Sequence, residues 1–87
     1  MEFIINVLSS RYNTNAYGLY KGSCYIYQGE YYPSHNRDCL DSSVKRYKSE
    51  KRAISAAQSV VDKCGYVMGY EIYKVVNGNL VLICREI

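Results

Sequence analysis

Chemistry in this chain would have to begin at its single histidine. His35 lies in Pro33-Ser34-His35-Asn36-Arg37-Asp38-Cys39, where a Cys39 thiol beside an imidazole oriented by Asp38 or Asp41 would supply the parts of a nucleophilic site. The set is local, sits in a polar stretch and follows no catalytic pattern. No phosphate-cradling glycine loop, H-E-x-x-H or G-x-S-x-G accompanies it, so these are expected to be solvated loop residues and no catalytic residue is assigned. The four cysteines, Cys24, Cys39, Cys64 and Cys84, lack the C-x-x-C pairing of zinc and redox sites. Three disulfide connectivities remain open to them, and the expectation is reduced, largely buried thiols with no metal and no other cofactor.

Two binding features stand out instead. Lys45, Arg46, Lys48, Lys51 and Arg52 surround a lone Glu50 and give the segment a local charge of +4, whereas the other 79 residues sum to −1. The whole +3 balance is one patch. Lys51 and Arg52 also fall in the first turn of a predicted helix, where the dipole disfavours cations and free backbone N–H groups offer an anion site. Phosphate, a nucleic-acid backbone or an acidic protein surface would relieve that repulsion; the bland alternative is a solvated charged face.

Tyrosine is the second feature, with 11 copies against one Phe and no Trp. Tyr17, Tyr20, Tyr25, Tyr27, Tyr31 and Tyr32 crowd into 16 residues. Alternation puts Tyr25 and Tyr27 on one strand face and Cys24 and Ile26 on the other, so if the latter pair meets the core the tyrosines stand outward. Exposed tyrosines are rigid amphipathic anchors for a protein partner or stacking platforms for bases; the alternative is a half-buried aromatic face completing a small core. Stacking on nucleic acid goes with a positive groove, and this segment holds only Lys21 against Glu30, which favours protein.

These residues need elements to place them. Ala53, Ile54, Ala57, Val60, Val61 and Cys64 recur at three- and four-residue steps and predict a helix over Ser49 to Cys64, capped by Ser49 and stopped by a left-handed Gly65. Tyr70 to Val76 and Asn79 to Arg85 flank Asn77-Gly78, the signature of a type I′ hairpin. In that register Glu71, Tyr73, Val75, Leu80, Leu82 and Cys84 share the face expected to cover the helix, leaving Ile72, Val76, Val81 and Ile83 on an apolar outer face. Strands are also expected at Phe3 to Leu8, Tyr17 to Tyr20, Ser23 to Tyr27 and Glu30 to Tyr32, with turns at Lys21-Gly22 and Gln28-Gly29. Arg11 to Ala16 and Pro33 to Ser43 read as polar loops, and Val44 to Lys48 as a short strand-like lead into the helix. The order βββ(β)αββ predicts an α+β domain, one helix on a mainly antiparallel sheet.

At 87 residues the chain makes one domain, 1–87, and 48% hydrophobic with 22% charged residues excludes intrinsic disorder. The first apolar run, Phe3 to Leu8, is too short for a signal core or membrane span, so a cytoplasmic protein is expected. With fewer than 100 residues, no catalytic set and adhesive surfaces, the chain resembles the small phage-encoded inhibitors of bacterial defence, including anti-CRISPR proteins. That resemblance implies stoichiometric binding to a defence nuclease or effector complex in the host cytoplasm; since the chain is basic where many such inhibitors are acidic DNA mimics, it implies covering a protein surface. The expected function is a non-enzymatic protein-binding inhibitor, with Tyr25, Tyr27, Tyr31 and Tyr32 as anchors and Lys45, Arg46, Lys48 and Arg52 as electrostatic contacts. The alternative is a small nucleic-acid-binding protein or transcriptional regulator. A homodimer through the outer face of the last hairpin is a corollary.

Overall fold

A computed structural model of the chain describes residues 1–8, 18–36 and 40–86. The expected loop at Arg11 to Ala16, and Tyr17, Arg37, Asp38 and Cys39, lie outside the described residues. Within them the chain forms β1 (Glu2–Leu8), β2 (Gly18–Tyr27), β3 (Glu30–Asn36), α1 (Glu50–Lys63), β4 (Gly69–Val76) and β5 (Asn79–Glu86). The five strands make one antiparallel sheet in the order β3-β2-β1-β4-β5, an α+β fold.

The centre of that sheet is β1, and its sequence explains why. Phe3-Ile4-Ile5 and Val7-Leu8 are apolar on both sides of the pleat, which suits a strand buried on both faces. Phe3, Ile5 and Val7 meet α1, whose buried stripe is Ala53, Ala57, Val60 and Cys64; the small alanines let the helix lie close. Ile4 and Leu8 are buried on the opposite face. Ser49 caps the helix as expected, its hydroxyl accepting from the Arg52 N–H at 3.2 Å. The stop differs. Gly65 is not left-handed; Cys64 turns extended while its N–H still donates to the Val60 carbonyl, so the chain leaves the helix directly toward β4.

Three other expectations are corrected. Lys21-Gly22 is not a turn: β2 runs continuously, and its register with β3 shifts between Tyr20 and Cys24. Gly22 has φ +95°, and a Cβ there would meet the Lys45 side chain at 3.2 Å, so this glycine makes a bend inside a strand. β1 and β2 pair only at Asn6–Leu19 and Val7–Gly18; beyond Tyr20 the strands part, and residues 45–47 fill the gap. There the Lys45 N–H donates to the Tyr20 carbonyl, and Phe3 and Tyr47 exchange two backbone bonds of 2.8 Å, which realises the strand-like character of Val44 to Lys48. Pro33 to Asn36, expected as loop, extends β3 at the sheet edge, where proline's missing N–H costs no ladder bond if it points outward.

The last correction is the facing of the hairpin. Asn77 and Gly78 take φ +50° and +79°, as a type I′ turn requires, and the pairing runs as expected from Val76–Asn79 to Tyr73–Leu82. A bulge then intervenes, so that Ile72 faces Cys84 and Glu71 faces Arg85. Tyr70 and Ile72, not Glu71 and Tyr73, lie under the helix, with Cys84 packed beside them. Tyr70 is further tied there by the Gln58 amide, which donates to its hydroxyl at 2.9 Å. The reason is Glu71. The apolar stripe of α1 offers no partner for a carboxylate, whereas on the opposite face Glu71 accepts from Asn6 and Tyr73 at 2.9 Å each and pairs with Arg85 at 3.5 Å. Its side chain is only 14% exposed, so these partners replace water. Replacing Glu71 by Ala is expected to leave the Asn6 amide and Tyr73 hydroxyl unpaired and to cost about 1–3 kcal/mol, read from the urea midpoint.

Candidate functional site

The β2–β3 hairpin turns at Gln28-Gly29, whose φ values of +51° and +81° match a type I′ turn, and closes on the Tyr27–Glu30 pair. Period-two alternation then places Tyr25, Tyr27 and Tyr32 on one face. Tyr25 and Tyr32 are cross-strand partners with rings stacked at 5.7 Å and 24°, and the Tyr27 ring meets Tyr32 edge-on at 6.4 Å. A fourth ring joins from elsewhere: Tyr66, just past α1, stacks on Tyr32 at 5.7 Å and 4°. Tyr32 is thus the hub of four phenols. Tyr25, Tyr27 and Tyr66 remain 47%, 60% and 54% exposed. These stacked and edge-on contacts orient the rings without removing them from solvent.

Tyr31 projects from the other face of β3, where the Lys63 ammonium sits 4.8 Å from its ring centroid. Opposite it on β2 is Ile26, 62% exposed. The hairpin end is therefore aromatic or aliphatic on both faces. Of the expected anchors, Tyr25, Tyr27 and Tyr32 are brought together and Tyr31 stands behind them. Tyr66 and Lys63 were missed: they lie more than 30 residues along the chain, and nothing in helix periodicity announces a ring beyond its end.

The expected cations are placed differently. Arg46 pairs with Glu2 at 3.5 Å and donates to the Asp41 carbonyl at 3.4 Å. Lys45 packs along Gly22 and holds its ammonium 5.9 Å from the Tyr47 ring. Lys48 and Arg52 are exposed at the start of α1, where the Ser49 hydroxyl already occupies the Arg52 N–H. The anion site expected from free N–H groups is to that extent filled. A helix of 14 residues is about 21 Å long, and the tyrosines gather at its other end. The cations and the rings therefore do not form one groove.

His35 Nδ1 lies 2.9 Å from the Pro33 carbonyl, with which it hydrogen-bonds, and His35 belongs to β3 rather than to a loop; its expected partners Asp38 and Cys39 lie outside the described residues. Asp41 does not orient it: this carboxylate accepts from the Ser43 N–H and hydroxyl and from the Asn36 amide, bonds that hold its pKa below the usual value. No cluster of three or more metal-ligating side chains occurs among the described residues, and none of the described helices is long and apolar enough to cross a membrane. No protein-family model matches the chain, and neither the curated proteins nor the solved structures contain a significant match to it.

The perturbed phenols and thiols share one direction. Burial pushes the phenols of Tyr20, Tyr47 and Tyr73 upward, and loss of solvation among its ring neighbours does the same for Tyr32. Burial likewise raises the Cys84 thiol and pushes Cys64 up to about 11. In each case the folded state holds its proton after the unfolded chain has released it, so the contribution to stability is complete below the unfolded pKa and is lost as pH rises. Stability is expected to decline above about pH 9, where unfolded Cys and Tyr begin to ionise, as urea midpoints taken along a pH series will register.

Proposed function

We propose that this protein is a stoichiometric protein-binding inhibitor that engages its target through the β2–β3 hairpin. The observation that carries the reading is the Tyr25–Tyr27–Tyr32–Tyr66 cluster: rings fixed by mutual stacking, half-exposed, and displayed on a hairpin. Tyrosine ordered in this way loses little entropy on binding and offers both an apolar face and a hydroxyl, the qualities of interface hot spots. The placement of the rings at one end of α1 and of the exposed cations Lys48 and Arg52 at the other, on a helix about 21 Å long, speaks against the nucleic-acid alternative, in which stacking residues and phosphate contacts track one strand. Lys48 and Arg52 act instead at the rim, speeding encounter with an acidic surface. The small size fits binding, and the resemblance to phage-encoded inhibitors of bacterial defence points to a CRISPR effector or another defence nuclease as the target.

The tagged protein is expected to retain one discrete bacterial protein from nuclease-treated lysate at a fixed ratio. Tyr25→Ala combined with Tyr27→Ala should keep the wild-type melting transition, since both rings are exposed, and weaken capture at least tenfold, the scale of one hot spot. Charge reversal at Lys48 and Arg52 should slow association and leave dissociation unchanged. Recovery of nucleic acid alone, or capture indifferent to the tyrosine substitutions, would overturn the reading. Expression in a CRISPR-immune host should restore plaque formation by the targeted phage.

We also infer that β5 pairs with β5 of a second copy. As the edge strand it exposes Val81, Leu82, Leu80 and Ile83 by 37–48%, and it carries no proline and no charge from Asn79 to Cys84. Antiparallel pairing about Val81 sets Leu80 against Leu82 of the copy and brings no like charges into the seam. Replacing Val81 by Lys is expected to shift the sedimenting species from dimer to monomer; a wild-type chain that stays monomeric at millimolar concentration rules the pairing out.

A further inference from the structure

Cys24 and Cys64 are 40 residues apart in sequence, yet their sulfurs lie 3.8 Å from each other. Cys64 closes the C-terminal end of α1 and is fully buried. Cys24, on β2 just beyond the Gly22 bend, is half-buried and lines a cleft of about 450 Å³ whose far wall is the Ser59 and Lys63 side of the helix. A disulfide has its sulfurs about 2.05 Å apart, so closure requires an approach of under about 2 Å between the hairpin and the helix end, which already meet through the side chains of Cys24 and Cys64 and of Tyr31 and Lys63. Both thiols are free, and neither takes part in the tyrosine cluster.

We propose that Cys24 and Cys64 form a dithiol modification site that is oxidised reversibly to an intramolecular disulfide by a small anionic disulfide of the glutathione class. The Cys24 thiolate attacks one sulfur of glutathione disulfide, forms a mixed disulfide and expels one glutathione thiolate. Cys64 then loses its proton and attacks the Cys24 sulfur, forming the Cys24–Cys64 bond and expelling the second glutathione. Two protein thiols are oxidised, one disulfide is reduced to two glutathiones, and the two protons leave with them.

Access decides the order. Cys24 is reached from the cleft, where Lys63 offers a cation to the glutathione carboxylates, whereas Cys64 is sealed beneath it. The raised pKa of Cys64 slows its attack, and the 3.8 Å placement of its sulfur against Cys24 offsets this by making the attack intramolecular. The bond would tie the hairpin bearing Tyr25, Tyr27 and Tyr32 to the helix end from which Tyr66 follows two residues later. Redox state would then set the rigidity of the tyrosine cluster, a consequence that rests on the proposed binding role, whereas the chemistry does not.

The test is to incubate the reduced full-length chain with glutathione disulfide and follow intact mass and peptide maps. The wild type is expected to lose two hydrogens and yield a Cys24–Cys64 linked peptide, to melt at a higher temperature than the reduced form, and to be restored by excess reduced glutathione. Cys64→Ser or Cys64→Ala should stop at a glutathione adduct on Cys24, and Cys24→Ser should take no adduct at Cys64. A link through Cys39 or Cys84, a first adduct on Cys64, or a persistent Cys24 adduct in the wild type would overturn the proposal. If the disulfide forms but target capture is the same in both redox states, only the coupling to binding fails; if it does not form while the Tyr25 and Tyr27 variants still lose the target, the binding role stands alone.

Discussion

Burial of β1 on both faces is the constraint from which the rest of the fold follows. A strand with Ile5 and Val7 on one side and Ile4 and Leu8 on the other cannot sit at a sheet edge, so it must be flanked, and β2 and β4 flank it. Its helix-facing side fixes α1, because Ala53, Ala57 and Val60 bring the helix close enough to seal Ile5 and Ile72 together. Its other side fixes Asn6, and through Asn6 the carboxylate of Glu71, which in turn decides which way β4 faces.

From this centre the two ends of the sheet diverge in character. On one side Gly22 lets β2 leave β1, residues 45–47 close the gap by backbone bonds, and the freed hairpin reaches the far end of the helix. That reach brings Tyr32 to Tyr66, Tyr31 to Lys63 and Cys24 to Cys64. On the other side β5 ends the sheet with apolar residues on both faces of an edge strand. Both ends expose apolar surface, one in stacked rings and one along an edge strand, and they lie at opposite margins of the sheet.

Much of this was legible in the sequence, and the reasons are local. Asn77-Gly78 and Gln28-Gly29 encode left-handed backbone directly, and a helix stripe of Ala, Val and Cys at three- and four-residue steps has one way to face a core. The alternation that sets Tyr25 and Tyr27 opposite Cys24 holds, but of the two residues expected to meet the core only Cys24 packs against it, and Ile26 is exposed. Lys21-Gly22 misled because a glycine with positive φ serves a bulge as well as a turn, and only the Lys45 side chain packed against it distinguishes the two. The hairpin faces misled because the partners of Glu71, Asn6 and Arg85, lie elsewhere along the chain and draw β4 the other way round, while one inserted residue between Leu82 and Cys84 keeps Cys84 beside the helix.

Composition and order by themselves determined the α+β class, the capped helix, the two tight turns and the shared face of Tyr25 and Tyr27, all of which depend on residues within a few positions of one another. The exposure of those two rings was decided by the tertiary structure. Tertiary structure alone decided that Tyr66 completes the ring cluster, that Arg46 is matched by Glu2, that Glu71 turns away from the helix and that Cys24 meets Cys64. Each of these joins residues 20 or more positions apart, or depends on where such a residue falls. Pattern along a chain fixes which face a side chain prefers. What it meets there depends on how the bend at Gly22 and the bulge in β5 carry distant segments past one another.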